Sequence, residues 1–91
     1  MNLEQAKERV SRFMGENEIL TFSLERFEDD EWVARCNEIP AISTSGFGDD
    51  MEEIESLMKD AIFTAAGVEG EFADDELLKD VSIKKSWALA Q

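Results

Sequence analysis

Ninety-one residues, 43% of them hydrophobic, suit one modest folded domain and are too apolar for a disordered tail, despite a net charge of -13. A chain of this size buries roughly two-thirds of its unfolded surface, which leaves one core and little room for a deep enclosed site. Twenty-two acids against nine bases repel phosphate, so direct nucleic-acid binding is not expected and encounter with a basic partner is favoured.

The first periodic segment is a helix over about residues 2–14. Leu3, Ala6, Val10, Phe13 and Met14 recur at helical spacing as one apolar stripe, with Glu4, Lys7, Glu8 and Arg12 opposite. Asn2 is placed to cap it, Gln5 completes a capping box, and Gly15 offers a left-handed stop. From Ile19 to Phe27 the period changes to two. Leu20, Phe22 and Leu24 alternate with Thr21, Ser23 and Glu25, as in a strand with one buried face. Glu28-Asp29-Asp30 breaks the run as a turn, and Glu31 to Asn37 is a second strand with Trp32, Ala34 and Cys36 on one face. So short a connection pairs the two as an antiparallel hairpin. Pro40 belongs in a turn or at a sheet edge, and Ala41 to Ser45 is a third short strand. Gly46-Phe47-Gly48 reads as a flexible loop, since it lacks the length and the Lys of a phosphate-binding loop.

Asp50 and Glu53 then form a capping box for a helix whose apolar face is Met51, Ile54, Leu57, Met58, Ala61, Ile62 and Ala65. Asp49, Glu52 and Glu53 suit its positive end, and Gly67 ends it. Val68 to Asp80 is an acidic connection with a helical turn at Asp75 to Lys79. Val81, Ile83, Lys85, Trp87 and Leu89 alternate as a closing strand. The expected fold class is α+β: an N-terminal helix followed by β-β-β-α-β. One domain over 1–91 holds an antiparallel sheet covered on one face by the main helix.

Charge is unevenly spread along this order. Between Phe13 and Ile83 twenty acids face only Arg26, Arg35, Lys59 and Lys79, a local charge of about -16, whereas both ends are mildly basic. The absence of His removes the commonest general base and metal ligand, and the absence of Tyr removes a phenolic acid. Cys36 is the only cysteine, so no intramolecular disulfide can form and a reducing cytoplasm is the expected location. On a strand face with Trp32 and Ala34, it reads as a buried filler. No apolar run approaches the ~20 residues of a membrane span, and Met1-Asn2-Leu3-Glu4-Gln5 lacks a secretion-signal pattern.

Acid clusters are the remaining route to chemistry. Glu28 to Glu31, Asp49 to Glu53 and Asp74 to Glu76 carry oxygen ligands of the type that hold Mg²⁺ or Ca²⁺. None has the calcium-loop pattern, and each is accounted for as a hairpin turn, a helix cap or a surface loop. No cofactor or metal is expected, and the chain reads as a non-enzyme. Phe22, Trp32 and Trp87 fall at inward strand positions. Phe27 and Phe47 sit in or beside loops, where exposed aromatics anchor partners. With the acidic run Glu28, Asp29, Asp30 and Glu31, they are the candidate partner-binding residues.

Two stretches carry a family resemblance: Trp32-Val33-Ala34-Arg35-Cys36-Asn37-Glu38-Ile39-Pro40-Ala41-Ile42, and Gly48-Asp49-Asp50-Met51-Glu52-Glu53 with Ala61-Ile62 closing the helix. The middle of the chain, about Leu20 to Val68, resembles the HicB-like antitoxins. Asn37 and Ala41 stand where that family has Pro and Gly, Asp50 replaces Thr, Ile54 stands where Ala is common, and the loop before Gly48 is about two residues longer than usual. The resemblance implies three antiparallel strands, a helix and a returning strand. It also implies binding to a small basic RNA-cleaving toxin, as in a type II toxin-antitoxin system. The helix at 2–14 is an extra feature relative to that pattern, and no DNA-binding extension is evident. Two other functions fit the residues: a homo-oligomeric domain assembling through sheet edges or the first helix, with a scaffold or small-ligand role, and an acidic DNA mimic.

Overall fold

The computed structural model describes residues 1–88. The chain forms α1 (Leu3–Met14), β1 (Ile19–Arg26), a short 3-10 turn (Glu28–Asp30), β2 (Glu31–Cys36), β3 (Ser43–Phe47) and α2 (Met51–Ala66). Two further 3-10 segments, Gly70–Phe72 and Asp75–Leu78, lead to β4 (Ser82–Trp87). Leu89, read above as part of the closing strand, lies outside the described residues. No helix among those residues is long and apolar enough to cross a membrane.

The helix boundaries follow from local chemistry. Asn2 Oδ1 accepts from Gln5 N (2.9 Å) and Gln5 Oε1 accepts from Asn2 N (3.0 Å), the reciprocal box that satisfies two orphan donors. Gly15 stops α1 with a positive φ of 59° but a ψ of -123°, outside the left-handed helical region expected for it. Asp50 caps α2 through Glu52 N (3.0 Å). The reciprocal Glu53 bond of a full capping box is absent among the described residues. Gly67, left-handed at φ 79° and ψ 28°, closes α2.

The sheet order is β3-β2-β1-β4. The β1–β2 and β2–β3 pairs are antiparallel, but β4 lies parallel to β1, so the sheet is mixed and not antiparallel throughout. The cause is topological. β3 runs in the direction of β1, and the crossover through α2 returns the chain to begin β4 in that same direction. β3 also starts and ends later than its alternation suggests: Ala41 and Ile42 lie in a turn closed by Ile42 N to Ile39 O (2.9 Å). Gly46 and Phe47, read above as loop, are strand.

Both helices bury their stripes in one core with the same face of the sheet. That core holds Ala6, Val10 and Met14 from α1, Ile54, Met58, Ile62 and Phe63 from α2, and Leu20, Phe22, Leu24, Trp32, Ala34 and Cys36 from the strands. α1 therefore packs within the domain, against α2 and the Asp75–Leu78 turn. Leu3, assigned to the stripe, is instead 49% exposed, at the rim of a groove between α1 and the 74–81 segment. Each large side chain here contributes about 1.5–3 kcal/mol by leaving water. Trp87 is only half-buried, beneath the Arg26 guanidinium at 4.7 Å from the ring centroid.

Trp32 sits at the heart of this arrangement with no exposed surface. Its cross-strand partner is Gly46, and the indole fills the space a side chain there would need. A Cβ on Gly46 would come 2.7 Å from Trp32 Cζ2. The indole Nε1 has no hydrogen-bond partner among the described residues, which costs about 1–3 kcal/mol. Gly46→Ala is therefore expected to destabilise the fold by about 1–3 kcal/mol in denaturant titration, because the methyl group overpacks against the ring. An unchanged midpoint would show that Trp32 moves aside freely.

Candidate functional site

The strand register determines what the uncovered sheet face presents. Arg26 pairs with Trp32 on the inner face, so the next position, Phe27, looks outward opposite Glu31. Phe27 N donates to Glu31 O (2.7 Å), and Glu31 pairs with Phe47 on β3. Phe27, Glu31 and Phe47 thus form one row across three strands, spaced by about 4.8 Å per strand. Phe27 is 49% exposed and Phe47 is 67% exposed.

The turn beside this row is acidic and strained. Asp29 and Asp30 have φ of 63° and 62°, and among the described residues they are the two non-glycine positions with positive φ. Asp tolerates the left-handed region better than most residues, yet it still costs energy that glycine would not. Glu31 N closes the turn on Glu28 O. Asp30 O accepts from Gly48 N (2.9 Å), and Gly48 O accepts from Arg26 Nη1 (3.0 Å). These bonds tie the first hairpin to the chain leaving β3, so Asp49, Asp50, Glu52 and Glu53 at the start of α2 join the same end of the sheet. All six predicted residues, Phe27, Glu28, Asp29, Asp30, Glu31 and Phe47, are brought together there. The acidic run Asp74 to Glu76 is not: it lies under α1, beside the groove that Leu3 and Leu77 line.

The opposite end of the open face carries a polar network that the sequence did not signal. Glu38 accepts from Thr21 through both its backbone N (2.7 Å) and its Oγ1 (2.6 Å). Asn37 Nδ2 donates to Thr21 Oγ1 (3.1 Å), and Ser23 Oγ donates to Asn37 Oδ1 (3.0 Å). The partners are 14 to 17 residues apart, so only the hairpin register joins them. The Thr21 hydroxyl and amide hold the Glu38 carboxyl below its ordinary value of 4.5. Burial pushes the Cys36 thiol up, and a protonated, 3% exposed thiol is a poor nucleophile. Among the described residues no group of three or more His, Cys, Asp or Glu side chains converges as metal ligands would.

A depressed carboxyl pKa means that folding favours the ionised form. The Glu38 contribution is thus present above the ordinary value and is lost as pH falls through the lower folded one. Glu38→Gln is expected to flatten the acid limb of the stability curve, as pH falls below the ordinary carboxylate value, relative to the unsubstituted chain. Parallel curves for the two proteins would contradict that coupling. No family model, no curated protein and no solved structure matches this chain.

Proposed function

We propose that the protein is a non-enzymatic, cytoplasmic binding module that neutralises a small basic protein, the role HicB-like antitoxins play toward their toxins. The observation that carries this is the acidic turn. Strain at non-glycine positions concentrates where function needs a particular side chain. Here two aspartates occupy left-handed positions that glycine would fill at lower cost, and they stand beside exposed Phe27 and Phe47. A carboxylate-rich rim around aromatic anchors suits a basic surface: charge speeds encounter and apolar area holds the complex. The element order, three antiparallel strands, a helix and a returning strand, supports the same resemblance.

The partner sought is a small basic protein encoded in the adjacent reading frame, captured by the purified chain at low salt. Affinity is expected to fall as salt rises. Phe47→Ala should weaken the complex at least tenfold, about 1.4 kcal/mol. Asp29→Gly and Asp30→Gly should separate strain from recognition, raising stability by up to about 1 kcal/mol per site while lowering affinity. Failure to bind at low salt, or full affinity in the glycine variants, would overturn the proposal.

A further inference from the structure

The sheet has two edges, and they differ in how they are protected. β4 carries Lys84 and Lys85, charges of the type that guard an edge against pairing with another chain. β3, Ser43-Thr44-Ser45-Gly46-Phe47, has no charge and no proline. The ladder phase is fixed at both ends, by Cys36 N to Ile42 O (3.0 Å) and Gly48 N to Asp30 O (2.9 Å). Thr44 and Gly46 therefore bond inward to β2. The backbone N–H and C=O groups of Ser43, Ser45 and Phe47 point away from the sheet, and those three residues are exposed.

We propose that two copies of the chain pair through β3, antiparallel about a twofold axis at Ser45, into a continuous eight-stranded sheet. This register uses all three outward-facing residues, with Ser45 opposite Ser45 and Ser43 opposite Phe47 of the second copy. A twofold axis places each residue at its centre against itself, which an uncharged strand allows and a charged one opposes.

Charge selects the antiparallel arrangement. Each copy carries -13, concentrated here in Glu28 to Glu31 and Asp49 to Glu53 at the Phe47 end. Antiparallel pairing sends these two ends apart and sets each against the Ser43 end of the other copy. That end carries Arg35, the cross-strand neighbour of Ser43, which is exposed and has no ion pair or hydrogen-bond partner for its side chain among the described residues. The resulting row runs Glu31, Phe47, then Ser43 and Arg35 of the second copy. Two strand spacings, about 10 Å, separate Phe47 from that Arg35, so the long side chain can lie over the exposed ring. The pairing needs no basic partner, and it leaves the two acidic turns at opposite ends of the paired strands.

The test is the solution mass of the full chain by light scattering and sedimentation over a wide concentration range. The expected result is twice the 10.3 kDa chain mass, with dimerisation strengthened by added salt as repulsion between the two acidic chains is screened. This is the reverse of the salt dependence expected for binding a basic partner. Ser45→Lys sets two ammonium groups face to face on the axis and should weaken dimerisation at least tenfold, with the melting temperature unchanged only at dilutions where both proteins are monomeric. Ser45→Glu should do the same with the opposite sign of charge. Amide exchange in the unsubstituted chain gives a readout that no folding defect can mimic: Ser43, Ser45 and Phe47 amides are protected in the dimer and lose protection on dilution. A monomer at every concentration, a dimer that survives both charged substitutions, or fast exchange at those amides in a dimer would each overturn the pairing.

Discussion

One constraint organises this protein: the buried apolar residues of its strands all lie on one side of the sheet. Leu20, Phe22, Leu24, Trp32, Ala34 and Cys36 look inward, and both α1 and α2 cover them. Two helices on one side of four strands leave the other side uncovered. The register then decides everything on that open face, because a strand residue not used for the core must point the other way. Trp32 holds the arrangement at its least tolerant point. Its indole occupies the space above Gly46, so β3 docks on β2 only where its partner position has no side chain.

The open face is divided by charge. At the Phe27 and Phe47 end, carboxylates from the first hairpin turn and from the start of α2 meet. They do so because Gly48 bonds both Asp30 and Arg26. In the middle, Ser23, Ser45, Val33 and Arg35 make a nearly neutral surface, and at the other end Glu38 is held by Thr21. The protein is therefore not uniformly acidic where it is most accessible. The acid-rich corner is strained, aromatic and exposed, which is a costly way to achieve mere solubility when surface charge anywhere else would serve.

Much of the fold was legible because each element announces itself locally. The Asn2-Gln5 box, the Asp50 cap, Gly67 and the alternations in β1 and β2 all lie within a few residues of the feature they specify. The features that local sequence does not specify have a common cause. The parallel direction of β4, the strand state of Gly46 and Phe47, and the exposure of Leu3 depend on how distant segments meet. Gly46 reads as a breaker by itself, and becomes a strand residue only because Trp32, 14 positions earlier, covers it. The six candidate site residues stand out by type alone: aromatics near loops and a run of acids. Their convergence into one row and one turn could not be read from type, since Phe47 joins the others only through the β2–β3 register. The strained backbone at Asp29 and Asp30 left no trace in the sequence beyond a turn signal.

The most direct measurement is a residue-by-residue map of amide resonances in the labelled chain as the small basic protein proposed as its partner is added at low salt. Shifts concentrated at Phe27 to Glu31, Phe47 and the first turn of α2, with the outer surface of α1 undisturbed, are the predicted outcome. Shifts centred on α1 or on the groove beside Leu77, with the acidic corner unchanged, would contradict the account.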